Sequence, residues 1–496
     1  MRPQQIVDVR VNVREEPMEP GRRRYIFTRR DVLRSAGIAA AGGLVLPAAS
    51  LAKPRAASSV FSAPAVIKAQ SNQEVVHWVY SSLPLDKDTL TRVPPDKTDN
   101  VIEYFQWSAD KFKEVEPGID VKLEFMPHDE TWFAKIDTSL IAGIPPDVVQ
   151  GPVSEAAKYV PLGALAPIDE YLTPETLADL VPAVASELSF NGKSYIWPWR
   201  LSFGGGVAIN ATLWDQAGIS DMLPTGDTRR WKMDTALEAF KATTVDSNGD
   251  GSTDQYGTVL ITDIHYYATQ FLFGFGARLF NEDETAVILN SPEGVAGLQW
   301  LVDLEQVHKV AVPGSAVRKA AEGDQIFNER KSASYPTQGA GVRPAALDGV
   351  EDFNWYWVPP PNVEGQEPSV MTNIHGHYVF QQKDADRTTA AQKWSQFLTR
   401  PEALALSLAQ FGQPPALQSL WGAVTDENQK VGLRFTEIMS TFGRRASAAP
   451  ITFTLAPRML EAAFSGQKSP QQALDDFASE ANKLIEDAIK AEQQQG

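Results

Sequence analysis

The chain has 496 residues, 43% apolar and 22% charged, the profile of a globular protein long enough for two or three domains. Its 45 basic and 62 acidic residues leave a net charge of −17, which repels polyphosphate backbones and argues against nucleic acid as a partner. With no cysteine, the chain has no disulfide, thiolate metal site, iron–sulfur cluster, cysteine nucleophile or lipidated cysteine.

Near the start, residues 28–34 read TRRDVLR, followed by an uncharged, Gly- and Ala-rich stretch over 35–52. Pro47 interrupts that stretch, which is too short for a convincing membrane span, and Ser50, Leu51 and Ala52 offer a peptidase site. Residues 1–52 are read as a twin-arginine signal peptide, recognised by the Tat translocase and cleaved after Ala52, which sends the mature chain to the periplasm or outside the cell. The leader before Thr28 is long, so we hypothesise a translation start at Met18, which N-terminal sequencing of the precursor decides. Cleavage removes nine arginines and five acidic residues, deepening the charge from −17 to −21. Residues 53–73, rich in Ala, Ser, Pro and Gln, are read as a flexible tether.

The mature chain opens on VVHWVY (75–80), a continuous apolar run expected of a strand buried on both faces. Ile102, Phe105, Ala109 and Phe112 recur at helical spacing, and Pro117 and Gly118 stop that helix. The alternating IDVKLEF (119–125) reads as a strand, residues 131–142 as a helix, and PPDVVQ (145–150) as turn then strand. The resulting βαβαβ pattern predicts a parallel sheet with ligands at the carboxyl ends of its strands. Residues 192–210, GKSYIWPWRLSFGGGVAIN, then combine a tight turn, three large aromatics, Arg200 and the triple glycine 204–206. Further on, Ser291 and Pro292 cap a helix with Val295, Leu298 and Val302 on one face. Ser469 and Gln472 form a capping box ahead of an apolar stripe from Leu474 to Ala488.

These pieces, in this order, resemble the sugar-binding family (family 1) of extracellular solute-binding proteins of ABC importers. The resemblance rests on PGIDV (117–121), AGIPPDVVQ (142–150), PLGALAPID (161–169) and NGKSYIWPW (191–199). It continues through FGARLFNEDE (275–284), SPEGVAGLQWLVDL (291–304) and FNERKSASYPTQGAG (327–341), and ends with AAQKWSQFLTRPEALA (390–405) and GQPP (412–415). It implies an α/β fold of the class II periplasmic binding protein type, with two lobes, each a mostly parallel sheet flanked by helices, joined by hinge crossings. An N-terminal lobe of residues 74–202 and 362–410 and a C-terminal lobe of 203–361 and 411–496 are expected. The crossings fall near 201–206, 361–363 and 411–415, where glycines and prolines absorb backbone rotation.

No nucleophile elbow, zinc-protease helix, P-loop or complete dinucleotide fingerprint occurs, so catalysis is not expected. A sugar presents hydroxyl edges and an apolar face, which a cleft meets with aromatic platforms and a few polar groups. The resemblance points to Trp78, Tyr80 and Ser82 after the first strand, Gln150 and Ser154 after the third, and Trp197, Trp199 and Arg200 at the crossing. It adds Tyr266, Tyr335, Gln338, His375 and His377. Where relatives carry an acidic residue near position 154, this chain has Ser154 and then Glu155. Residues 246–254 (DSNGDGSTD) place oxygen side chains at Asp246, Asn248, Asp250, Ser252 and Asp254 like a calcium loop, although Gly257 stands where its bidentate Glu belongs. A structural calcium is the one ion expected; no cofactor is required.

The expected protein is a monomeric receptor that captures a sugar or oligosaccharide by hinge closure and delivers it to ABC permease subunits. The alternatives are the same fold binding a polyamine, phosphodiester or organic ion, and a secreted carbohydrate-active enzyme, which product release would separate from a receptor.

Overall fold

The computed structural model describes residues 73–81, 100–127, 130–190, 192–246, 248–337, 352–411, 413–440, 442–443, 445 and 447–495. The export signal, the tether up to Asn72, Ser82 and Gln338 lie outside the described residues.

β1 (Gln73–Ser81) runs parallel to β2 (Ile119–Pro127) in unbroken register and parallel to β3 (Val148–Pro152). α1 (Asn100–Val115) and α2 (Glu130–Ile141) make the two returns, as the alternation predicts. The continuous apolar run of β1 has a visible cause, because both faces are covered. His77 meets Phe105 of α1 edge-on, and on the other face Lys135 of α2 sits over the Trp78 ring. Fully buried Asp147, in the turn into β3, accepts from the Val76 amide at 2.6 Å. It also receives a bidentate Arg387 at 2.6 and 2.8 Å, which ties the helix Ala385–Leu398 to the sheet.

The hairpin β4 (Ser189–Phe190) and β5 (Lys193–Ser194) turns at Gly192, whose φ is +78°. β6 (Ile196–Phe203) then joins the first sheet, and β7 (Val207–Asn210) enters a second one. There β7 lies between β8 (Ser334–Pro336) and β9 (Trp355–Val358), antiparallel to both. The second sheet is thus less parallel than expected; parallel pairing survives as single bridges such as Tyr256 to Ser332 and Thr258 to Ala311. Between those bridges Gly257 presses its backbone on Phe240, where a Cβ would collide, and no continuous ladder forms.

Helices supply the rest of the second core: α3 (Tyr266–Gly274), Pro292–Gln306 and Pro470–Gln495. The caps match the sequence reading. Ser291 Oγ accepts from the Gly294 amide at 3.3 Å, and Ser469 and Gln472 bond each other's amides at 3.3 and 3.2 Å. Leu474, Phe477, Ala481 and Ile485 of the last helix are buried.

The chain passes between the two cores three times. Leu201 belongs to the first core and Val207 to the second, so the first passage spans 204–206. Val358 lies in the second core and Val370, opening β10 (Val370–Val379), in the first. β10 is antiparallel to β3 and to β6. The third passage falls later than the expected 411–415. Ala416, Leu417, Val431 and Phe435 still pack into the first core, with Leu417 bridged to Leu180 and Pro415 to Arg200. The chain leaves through β11 (Met439–Ser440), parallel to β10, and reaches the second core at Phe442.

Candidate functional site

The carboxyl ends of β1 and β3, with the facing parts of β6 and β10, hold a buried polar cluster. Its geometry begins with a bulge. Arg200 pairs with His375 but Pro198 pairs with Gly376, which leaves Trp199 as the extra residue on β6. Pro198 lacks an amide to donate, and Gly376 lets β6 approach closely, since a Cβ there would collide with Ile196 and the Trp197 carbonyl. The bulge brings consecutive side chains together, so that the Arg200 guanidinium lies 4.1 Å from the Trp199 ring centre. Tyr104 of α1 stacks on Trp199 at 5.6 Å.

On the β1 side, the Tyr80 hydroxyl and His375 Nδ1 are 2.8 Å apart, and Tyr80 meets Trp132 of α2 edge-on at 5.6 Å. Trp132 donates its indole N–H to Glu155 Oε2 at 3.3 Å. Burial and the Glu155 charge push the Tyr80 hydroxyl pKa up, against the pull of Arg200 and Gln150. Burial brings the Arg200 pKa down to about 10, opposed by Tyr80 and Tyr104. Tyr80, Gln150, Glu155, Trp199, Arg200 and His375 therefore form one electrostatic unit. Ser154 Oγ, also buried, has no hydrogen-bond partner among the described residues.

The remaining candidates lie elsewhere. Trp78 packs under Lys135, and Trp197 is buried against Tyr171 with its indole N–H donated to Gln392 at 2.6 Å. His377 is enclosed by His77, Phe105 and Trp199, and burial, then His77, Arg200 and His375 nearby, hold its pKa well below the ordinary value. Tyr335 belongs to the second core, where its hydroxyl donates to the Ala320 carbonyl at 3.3 Å. Tyr266, at the start of α3, lays its ring against Gly204, next to the end of β6. Phe442 meets Tyr266 edge-on at 5.1 Å and stacks on Phe453 at 6.1 Å. Phe453 is 42% exposed and sits in the π-helical turn Ile451–Leu455, a local geometry that often marks a site.

Sequence reasoning left out Tyr104, Trp132, Glu155, Phe442 and Phe453. Only Glu155 carried a signal, as a carboxylate displaced by one position from Ser154.

In the exposed loop, Asp246 accepts from the amides of Gly249 and Gly251, each at 2.6 Å. Asn248 accepts from Asp250 N at 2.9 Å, and Asp250 from Ser252 N at 2.8 Å. Ser252 follows exposed in the same loop, and Asp254 is half-buried beyond its last bend. Among the described residues no group of three or more His, Cys, Asp or Glu could hold a metal, which includes His375 and His377.

Two α/β cores, three passages and a buried aromatic and polar cluster beside the first passage define a two-lobed binding protein of the periplasmic, class II type. Residues 98–405 match the family of bacterial extracellular solute-binding proteins, and the chain belongs to it. That family consists of binding proteins, not enzymes. The maltotriose-binding protein of Pyrococcus abyssi is 21% identical over 324 residues, covering 65% of each chain. The sn-glycerol-3-phosphate-binding periplasmic protein UgpB of Salmonella typhimurium is 23% identical over 228 residues, 43% of this chain and 50% of that one. The chain thus spans half to about two thirds of the length of these curated relatives. Among solved structures, the sugar-binding protein MalE from Xanthomonas citri superposes with a TM-score of 0.67 at 18% identity, covering 85% of this chain and 100% of that one. An ABC substrate-binding protein from Listeria monocytogenes in complex with cycloalternan gives 0.66 at 20% identity, covering 83% and 98%.

Proposed function

We propose that this chain is an exported receptor that captures a sugar or oligosaccharide between its two cores by hinge closure and delivers it to an ABC permease. The observation that carries the reading is the cluster of Tyr80, Trp199, Arg200 and His375 at the carboxyl ends of the first sheet, four residues from the glycine passage. Aromatic faces beside an Arg, an imidazole and a buried carboxylate suit a ligand with apolar CH faces and many hydroxyls. In this reading the aromatic array of Tyr266, Phe442 and Phe453 is the second core's contribution to ligand contact. The mechanism needs no covalent step: ligand bridges both cores and shifts an open–closed equilibrium. Support from relatives is of the same kind, since one binds maltotriose and a structural neighbour holds cycloalternan.

The test is a thermal-shift panel of maltotriose, larger maltodextrins, cyclic glucans and monosaccharides on the mature protein. A carbohydrate is expected to raise the Tm without release of product; a panel that leaves the Tm flat overturns the assignment. A second reading, an anionic polyol phosphate, is favoured by the buried Arg200 and the UgpB resemblance. sn-Glycerol 3-phosphate in the same panel separates the two.

Export through the Tat translocase, cleavage after Ala52 and a monomeric state belong to the same proposal. N-terminal sequencing of the exported chain and light scattering test them. Calcium in the loop of residues 246–254 is a separate proposal, and an EDTA-insensitive Tm argues against it.

A further inference from the structure

The first passage looks free in sequence, three glycines in a row, yet hydrogen bonds hold it. Gln270 of α3, fully buried, accepts the Gly206 amide at 2.6 Å and donates to the Gly206 carbonyl at 3.1 Å. Its second N–H goes to the Tyr267 carbonyl at 3.1 Å, fixing the side-chain rotamer. Gln270 thus reaches both peptide groups of Gly206, which has a φ of +130°; the carbonyl also accepts from the Thr337 amide at 3.1 Å, while the amide N–H is bonded to Gln270. Gly205 is a glycine for the same reason, because a Cβ there would collide with Gln270 Oε1. One turn earlier on the same helical face, Tyr266 lies against Gly204, whose amide donates to the Met371 carbonyl at 2.7 Å. One face of α3 therefore contacts all three residues of the passage, and its first residue is a candidate ligand contact.

We propose that Gln270 is the positioning residue of the hinge: it sets the conformation of the Gly206 peptide, and α3 transmits solute contact at Tyr266 to that peptide. This rests on the receptor reading above. A carboxamide suits the place because it meets the Gly206 N–H and C=O at once with one acceptor and one donor, which Glu or Met cannot do.

The test compares the mature protein with its Gln270→Met variant, which keeps the volume and loses the hydrogen bonds. Without ligand, amide exchange across residues 204–206 is expected to quicken at least about tenfold while the rest of the second core stays protected. Maltotriose affinity is expected to weaken about three- to tenfold as the binding-competent state loses population. Unchanged exchange over 204–206, or faster exchange with unchanged affinity, overturns the proposal. Should Gln270→Met fail to fold, the pair Gly205→Ala and Gln270→Ala replaces it. The cavity left by trimming Gln270 should relieve the damage of Gly205→Ala, and additive damage overturns the contact. If the unaltered protein ignores maltotriose, the sugar reading suffers, while the exchange experiment still judges Gln270.

Discussion

Of the three buried arginines among the described residues, Arg200 and Arg318 look alike by exposure and differ in their partners. Arg318 is 6% exposed, and its guanidinium donates to the carbonyls of Leu260 (3.3 Å), Val312 (3.0 Å) and Pro313. Its donors close the ends of loops, which is a structural task. Arg200 is 9% exposed and faces the Trp199 ring and the hydroxyl-bearing rings of Tyr80 and Tyr104. Burial lowers the pKa of both, so burial does not distinguish them. The partners do. Backbone carbonyls cannot leave, whereas an aromatic face and a hydroxyl can exchange one hydrogen-bonding partner for another when a ligand arrives.

Replacing each arginine by Met tests this contrast most severely. Arg318→Met strands several buried carbonyls and is expected to lower stability by about 3 kcal/mol in urea unfolding. Ligand affinity should stay within about twofold, far less than one lost hydrogen bond would cost. Arg200→Met should reverse the pattern: a smaller loss of stability, and a drop in affinity of roughly tenfold to a hundredfold, the loss of a charged hydrogen bond. Equal effects of the two substitutions on affinity would erase the distinction.

Next in size is the response to acid. Burial takes both His77 and His265 down to about 3, and His377 well below its ordinary value. Trp394 donates its indole N–H to His77 Nδ1 at 3.1 Å, an acceptor role open only to the neutral ring. Because the folded pKa lies below the unfolded value of 6.5, the unfolded chain binds more protons between the two. Stability is therefore complete above about pH 6.5 and falls as pH drops toward 3, by about 2 kcal/mol at pH 5 for each of His77 and His265. The first core holds two of these rings in contact, His77 and His377, and the second core holds His265. Urea unfolding at pH 7 and pH 5 should show the loss, and a conservative His265→Asn variant should remove one ring's share of it. A flat profile would mean that these rings take up protons in the folded chain as readily as in the unfolded one.

Local patterns carried most of the fold. The doubly buried run of β1, the cap at Ser291 and the box at Ser469 each depend on neighbours within a turn or two, and each stands where it was expected. The site was legible as a neighbourhood more than as a set of contacts. Tyr80 and His375 meet across a separation of 295 residues, which no periodicity encodes. Which of Trp197, Trp199 and Arg200 face together depends on a bulge, and one extra residue switches the side of every side chain beyond it. Glycine was read as freedom at 204–206, but at Gly205 it answers to the approach of Gln270. The later third passage turns on Leu417, Val431 and Phe435 finding the first core, a choice between two equally apolar destinations.

The smallest effect probes the second core at its periphery. Ser291 Oγ accepts the Gly294 amide at 3.3 Å and opens the helix Pro292–Gln306, whose Leu298, Leu301 and Val302 are buried. Ser291→Ala removes one N-cap and is expected to cost about 1 kcal/mol, close to the usual value because Pro292 already presets the first turn. The cap lies far along the chain from Tyr266 and Gln270, but Gly297 of the capped helix packs on Leu272 of α3. A pure stability change with unaltered amide exchange at residues 204–206 would mean that α3 reports to the passage through its own face alone. Faster exchange there would mean that packing behind α3, through Gly297 on Leu272, also sets the hinge.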